Sequence, residues 1–353
     1  GKTGYTTPIN TAMDLNSTLI IDNAHVTFNE SIASPDVQIN NANVYFKNTI
    51  NSASLKLHDS LVSMGINNTD KTPQQFGSVE LTGTSILTHD SATIGQDQRA
   101  GINWIVDTLT VSETSKIDVS SRGYKYKSGT GLYSGGSYGG RGGSYNGSNK
   151  SIATYGDLYS PVDFGSGGRD NTSNSTRGGG ALHLVVNQLT LNGRILSNGQ
   201  AGSGSIGGGS GGSVWLDVGT LNGIGDIRAG GNAGGYERGG GGRVAIYYDN
   251  ASGFDLNNVS AKSGGTDAGD GTVYITASHT PSNTDGLVAY YPFSGKADDL
   301  SGLNRHGVVT NASLTKDRYN NDNSAYYFNG VDSYIAIGNE SSIDLDKDFT
   351  FSA

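Results

Sequence analysis

Pairs of alternating apolar residues recur along the chain at a fixed interval. Leu19-x-Ile21 is followed, after four residues, by Val26-x-Phe28. Eighteen residues later come Val37-x-Ile39 and Val44-x-Phe46, and eighteen beyond those Leu55-x-Leu57 and Val62-x-Met64. Ile32 and Ile50 keep the same interval. Later copies read Val79-x-Leu81 with Ile86, and Ile102-x-Trp104 with Leu109-x-Val111. Leu182-x-Leu184 follows with Leu189-x-Leu191, then Val214-x-Leu216 with Leu221. Val244-x-Ile246, with Phe254-x-Leu256 displaced by an insertion, and Val273-x-Ile275 complete nine units. Alternation predicts short strands with one buried face. Strands this short bury their apolar pairs only when each unit stacks on the one before. The Asn, Asp, Gly and Ser residues between them suit turns with left-handed backbone.

The pattern predicts an all-β chain built as a parallel β-helix with one unit per coil. An antiparallel sandwich also yields short alternating strands, but it would not hold an 18-residue register over three units. At about 4.8 Å per coil, nine coils rise roughly 40 Å. Eighteen residues are also three hexapeptides, the period of left-handed helices. Later units of 23 to 32 residues, with an added strand at Ile117-x-Val119, favour a right-handed winding.

Composition changes this picture in one respect. Of 353 residues 55 are glycine, concentrated in Gly129–Gly147, Gly165–Gly180, Gly199–Gly212 and Gly230–Gly242. Three of these runs lead directly into a strand, once per coil at one fixed point, which a flexible linker would not do. They read as structural, letting neighbouring turns lie close, stacked as extended segments resembling polyproline II.

Between Val119 and Leu182 no repeat unit occurs, and the insertion at about 121–178 carries Arg122, Tyr124, Lys125, Tyr126, Lys127, Tyr133, Tyr138 and Arg141, then Tyr145, Tyr155 and Tyr159. Loops of that length are usually functional or disordered. Bases interleaved with tyrosines suit stacking on sugar rings and pairing with carboxylate or sulfate. A solvated loop, or tyrosines packed over the open side of the coil, accounts for the same residues.

For catalysis the candidates are Asp226, Arg228 and Glu237, with Asp118, Asp217, Arg238, Asp267 and Asp270 beside them. Asp226 and Arg228 flank Ile227 and therefore share an outward face. Two neighbouring carboxylates could serve acid–base chemistry, and surface ion pairs explain them equally well. The six histidines lack metal-ligand spacing such as H-E-x-x-H, and His183 falls on an outward position.

The balance of 32 acids and 23 bases, net −9, argues against a nucleic-acid partner, which needs a basic surface. No cysteine is present, which excludes disulfides, thiolate–zinc sites and thiol nucleophiles. No apolar run approaches 18 residues, so no membrane-spanning segment is expected. Gly1 to Pro8 show no charged stretch followed by an apolar core, so a signal peptide is removed or was never present.

After a linker at 281–284 the glycine repeats stop. Gly286-Leu287-Val288-Ala289-Tyr290-Tyr291-Pro292-Phe293, Asp298-Asp299-Leu300-Ser301-Gly302, His306-Gly307 and Ala325-Tyr326-Tyr327-Phe328-Asn329-Gly330 then follow in order. This stretch, 285–353, resembles the start of a laminin-G-like, concanavalin A-type jelly roll of bacterial secreted and surface proteins. The resemblance implies a partial two-sheet sandwich that binds carbohydrate, commonly with calcium. Asp298 and Asp299 are the nearest candidate calcium ligands, and a turn is their simpler explanation; no other cofactor is implied. Such a domain needs roughly twice this length to cover its core, so further domains of a longer chain are expected. The glycine-punctuated coils of 1–280 are similar in architecture to repeats of bacterial surface and secreted β-helix proteins.

Two functions are compatible with these features. One is an extracellular or cell-surface adhesion protein, a β-helical stalk presenting a lectin-like domain to a polysaccharide or cell-surface glycan. The other is a polysaccharide lyase or glycoside hydrolase acting on an acidic polysaccharide in a β-helix groove. Asp226, Arg228, Glu237 and the insertion's tyrosines lining one groove would favour the enzyme.

Overall fold

A computed structural model describes residues 7–65, 72–92, 101–125, 134–143, 153–168, 175–204, 206–234, 237–277, 297, 306–316 and 325–337. The chain divides into two compact units, Gly1–Ser282 and Asn283–Ala353.

The first unit is a parallel β-helix. One nine-stranded sheet contains, in spatial order, Leu19–Asp22, Asp36–Asn40, Ser54–His58, Gln74–Thr82, Ile102–Val111, Ala181–Leu191, Ser213–Gly223, Arg243–Phe254 and Thr272–Thr276. A second contains Thr7–Ile9, His25–Phe28, Asn43–Phe46, Leu61–Met64, Ile86–His89, Lys116–Asp118, Arg194–Leu196, Asp226–Arg228 and Val259–Ser260. The chain alternates between them, so each pass is a coil and consecutive coils pair in parallel. Leu19, Val37, Leu55, Val79, Leu109, Leu189 and Leu221 form one inward ladder. Val26, Val44, Val62, Leu87, Ile117, Ile195, Ile227 and Val259 form the facing one. From Val37 to Leu221 the first ladder is at most 1% exposed. Each such side chain contributes about 1.5–3 kcal/mol of burial.

The corner between the sheets is set by residue type. Asn23, Asn41 and Asp59 all have φ between 45° and 49°, and Gly83 succeeds them at 64°. These residues tolerate left-handed backbone at little cost. Asn41 Nδ2 also donates to Asn23 Oδ1 at 2.6 Å, tying one coil to the next.

The later units pair differently from the sequence expectation. Ile102-x-Trp104 and Leu109-x-Val111 lie in one strand, with Leu109 beside Val79. Ala181–Leu191, Ser213–Gly223 and Arg243–Phe254 are likewise single strands. Residues 105–108, Ile-Val-Asp-Thr, continue the alternation with a further inward apolar residue, Val106, which is 1% exposed, so the chain runs straight on. Ile117, and not Leu109, is the second-sheet counterpart of Val62 and Leu87. Straightening adds an inward row, Trp104, Leu184, Leu216 and Ile246, and widens the coil.

A third sheet, Met13–Asp14, Ile32–Ala33 and Ile50–Asn51, closes only the first coils. Farther on, glycine-rich segments occupy the return from second sheet to first. They bond to one another through backbone: Gly136 N–H to Gly208 O at 2.9 Å, Gly240 N–H to Gly136 O at 2.9 Å, and Gly179 N–H to Ser210 O at 2.9 Å. A Cβ on Gly136 would sit 1.9 Å from Ser166 O, and one on Gly179 2.2 Å from Ser197 O. Segments this close admit no side chain, which is why the sequence repeats glycine there.

In the second unit the described residues form two antiparallel pairs, Val308–Thr310 with Tyr334–Ala336 and Ser313–Thr315 with Ala325–Tyr327. Among the described residues no helix is long and apolar enough to cross a membrane.

Candidate functional site

The alternation that buries Ile117, Ile195 and Ile227 turns their neighbours outward. The second sheet therefore presents Lys116 and Asp118, Arg194 and Leu196, then Asp226 and Arg228, on three adjoining strands. Strand register stacks Lys116, Arg194 and Asp226 in one outward row, and Asp118, Leu196 and Arg228 in the next. The charges interlock. Lys116 Nζ lies 2.7 Å from Asp118 Oδ2, Arg194 Nε 3.3 Å from Asp226 Oδ1, and Arg228 Nε 2.8 Å from Asp226 Oδ2.

Two shallow clefts open on this face. One of about 370 Å³ is lined by Asn198, Asp226, Arg228, Asn257, Ser260 and Lys262, among others. The other, about 330 Å³, is lined by Leu61, Ile86, Thr88, Asp118, Ser121 and Arg122, among others. Two strand spacings, about 10 Å, separate Asp118 from Arg228 along the stack. The adjoining turns form their own polar ladder, with Asn198 N–H on Ser120 Oγ at 3.0 Å and Gly230 N–H on Asn198 Oδ1 at 2.8 Å.

Two of the acids here, Asp118 and Asp270, are held ionised. Burial raises the Asp118 carboxyl, but hydrogen bonds from Lys116 and Ser120 outweigh it and keep it below the usual carboxylate range. The Ser263 backbone N–H, together with Lys262, lowers Asp270, whose Oδ2 lies 2.9 Å from Lys262 Nζ.

Glu237 is elsewhere. It lies in the glycine array, fully buried, and lines neither cleft. Among the described residues no donor reaches either of its carboxylate oxygens. Burial raises its carboxyl, and the nearby Asp267 charge raises it further. Asp267 itself lies 3.5 Å from Arg238 Nε. Asp217 is buried on the first sheet, in neither cleft.

The described tyrosines of the insertion, Tyr124, Tyr138, Tyr155 and Tyr159, are packed inward or against the first sheet. Tyr124 meets Phe164 edge-on at 5.6 Å and is 7% exposed. Tyr138 is fully buried. Its hydroxyl sits 2.7 Å from Ser213 Oγ, which in turn donates to Asp163 O, so Tyr138 is the donor. Tyr155 donates to Phe164 O at 2.7 Å, and Arg243 Nη2 donates to Tyr155 O at 2.7 Å. Tyr247 donates to Tyr159 O at 2.8 Å, and Tyr159 meets Tyr274 edge-on at 4.8 Å. Residues 155–164 thus cross the outer side of the first sheet as a strap. Burial pushes the phenols of Tyr138 and Tyr155 up.

Of the basic residues in the insertion, Arg122 is half-buried in the second cleft, while Lys125 and Arg141 are exposed outside both. Tyr126, Lys127, Tyr133, Asp298 and Asp299 lie outside the described residues. The structure brings Asp226 with Arg228, and Arg122 with Asp118, to one face of the helix. It does not bring Glu237, Tyr124 or Tyr138 there. Lys116, Arg194 and Lys262 were not singled out from sequence, although the triplets Lys116-Ile117-Asp118 and Arg194-Ile195-Leu196 carry the same signal as Asp226-Ile227-Arg228. Among the described residues no group of three or more acidic or histidine side chains could hold a metal ion.

No family model, curated protein or solved structure matches this chain.

Proposed function

We propose that this protein is a glycan-binding module of the cell surface or extracellular space, in which the β-helix is a stalk and its second sheet a recognition face. The observation that carries the reading is the ion pairing of the acids in the two clefts. Asp118 has Lys116, and Asp226 has both Arg194 and Arg228. A general acid needs a carboxyl whose pKa is lifted toward the working pH; the partners of Asp118 act in the opposite sense. The side chains of Arg194 and Arg228, by contrast, remain 60% and 53% exposed, with donors open to a ligand. The second unit, with its jelly-roll resemblance, supplies a separate lectin-like element in this reading, with calcium as its cofactor.

The test is a glycan array run with and without calcium, beside an assay for reducing ends and unsaturated products on acidic polysaccharides. Binding without product is expected. Product formation that is lost in Asp226→Asn would replace this reading with that of a lyase or hydrolase.

A further inference from the structure

The cations of the second sheet follow a track. Lys116, Arg194 and Arg228 come from three adjoining strands, and Lys262 from the turn after the fourth. Each coil thus supplies one basic side chain, over four coils in succession. Lys262 is 77% exposed and Lys116 35%, so the far end of the track is the more open. The track crosses three strand spacings, about 14 Å along the stack. A single ion or monosaccharide cannot reach all four groups; an extended chain can.

Asp226 contacts both arginines through Nε, which leaves the terminal nitrogens of two half-exposed guanidinium groups to a ligand. Planar guanidinium is the group best suited to paired contact with carboxylate or sulfate. The remaining lining is Asn198, Asn257, Asn258 and Ser260, donors and acceptors suited to sugar hydroxyls. Along the track Lys116, Arg194, Arg228 and Lys262 stand against Asp118, Asp226 and Asp270, four positive charges to three negative, in a chain whose net charge is −9. At physiological ionic strength, fields fade beyond about 8 Å, so the local sign governs contact.

We infer that the ligand of this face is a linear polyanionic glycan, with carboxylate or sulfate on successive sugars, laid across the strands from Lys116 to Lys262. The inference rests on the glycan-binding reading and narrows it. Nucleic acid is the other extended polyanion, and the lining argues against it. Single strands are held by aromatic platforms, and neither cleft is lined by an aromatic residue. A duplex presents a charge every ~1.7 Å, far denser than one cation per coil.

The experiment is calorimetric titration of the whole chain with a polyuronate, a sulfated glycan, a neutral glycan and single-stranded DNA, each at low and high salt. The polyuronate or the sulfated glycan should bind, and more weakly at high salt. Arg194→Gln and Arg228→Gln should each weaken binding roughly tenfold. Lys56→Gln, on the other sheet, should leave it unchanged, and thermal melts of all three variants should match the parent. A neutral glycan bound equally well, or an equal loss in Lys56→Gln, would overturn the polyanion inference while leaving glycan binding standing. DNA bound as tightly as the glycans would overturn it too. No binding to any glycan would remove the parent reading itself.

Discussion

Protonation of one buried histidine should loosen the whole helix in mild acid. His89 occupies the inward position that Ile9, Phe28, Phe46 and Met64 fill in the coils before it. Phe28 and Phe46 stack there at 5.0 Å, and the imidazole continues the column where the glycine-rich return begins. Its ring is fully buried and packs against Gly101 and Gly180, with Phe164 edge-on at 5.5 Å. Nδ1 lies 2.5 Å from Asp90 O, a carbonyl that can only accept, so Nδ1 carries the proton. Nε2 accepts from Ala181 N–H at 3.2 Å. A second proton, on Nε2, would meet that N–H head-on.

Burial lowers the His89 pKa from 6.5 to about 4, the Asp90 carbonyl opposing and Arg122 assisting. Below pH 6.5 the unfolded chain therefore takes up a proton that the folded chain refuses. Stability contributed by the neutral ring is complete above pH 6.5 and declines until pH reaches about 4. The drop of 2.5 between those values corresponds to about 3 kcal/mol. Asp36, Asp59, Asp118 and Asp270, all lowered, lose their contributions only below the ordinary carboxylate range. Glu237, raised, works in the opposite sense. His183, stacked on Trp215 at 3.8 Å, is also lowered to about 4 and shares the window, so the parent alone is not diagnostic. Urea unfolding of the parent, His89→Gln and His183→Gln from neutral pH to about 4.5 separates them. The pH slope should flatten in His89→Gln by close to the figure above, whatever its stability at neutral pH. Parallel slopes in parent and His89→Gln would refute the assignment, as would an imidazole shift of His89 that titrates near 6.5 in the folded protein.

Other substitutions probe the glycine array, the register and the strap. Gly136→Ala forces a methyl against Ser166 O and should cost at least about 3 kcal/mol, whereas Gly204→Ala, with nothing within 4 Å, should cost about 1 kcal/mol from its φ of 61° alone; thermal melts compare them. Val44→Asp places an unpaired carboxylate between coils and should cost several kcal/mol by denaturant titration. Asn41→Asp, on a turn where a polar exchange looks harmless, should still cost about 1 kcal/mol, because it removes the donor to Asn23 Oδ1 and sets a carboxylate against that carbonyl. Tyr138→Phe deletes the bond to Ser213 and should cost about 1 kcal/mol, with proteolysis between 153 and 164 accelerated if the strap is pinned there.

The first three coils were legible because their chemistry repeats at every position that matters. Strand, turn residue, strand and Ile32 or Ile50 recur at one interval, so the register could be counted off. It became illegible where a turn vanished. Val106, Val186 and Val218 lie three residues ahead of Leu109, Leu189 and Leu221, the place of Ser34 and Ser52 between the third and first sheets of the early coils, and their strands run on through that former corner. A fixed template read two strands into each of these long ones. The glycine segments were legible as structural elements, but not as bonded neighbours: Gly136 bonds to Gly208, and a residue without a side chain leaves no pattern to align. Alternation around Ile227 placed Asp226 and Arg228 on one face. Arg194 and Lys116 sit in the same triplet frame, yet a search weighted toward acid pairs passes over them. Aromatic and basic residues in alternation do not reveal which side faces water. Tyr138 is committed to Ser213, a partner 75 residues away that local sequence cannot identify.

Stacking itself bears on the chemistry that such a face can offer. In a parallel coil, register sets equivalent positions of successive units side by side, one strand spacing apart. Like charges so placed repel, as Lys116 and Arg194 would if they stood alone. Asp118 and Asp226 relieve that repulsion from within the same grid, and in doing so Asp118 is stabilised as an anion. An acid or base for catalysis needs the reverse, a carboxyl short of partners and lifted in pKa. Among the candidates read from the sequence Glu237 has that character, and the coil that supplies it encloses it in glycine backbone, where no polymer can reach. What recurs coil by coil on the open face is a basic side chain. Lengthening such a rod adds contacts for a repeating ligand without any new chemistry, which is the property a recognition surface for a polymer requires.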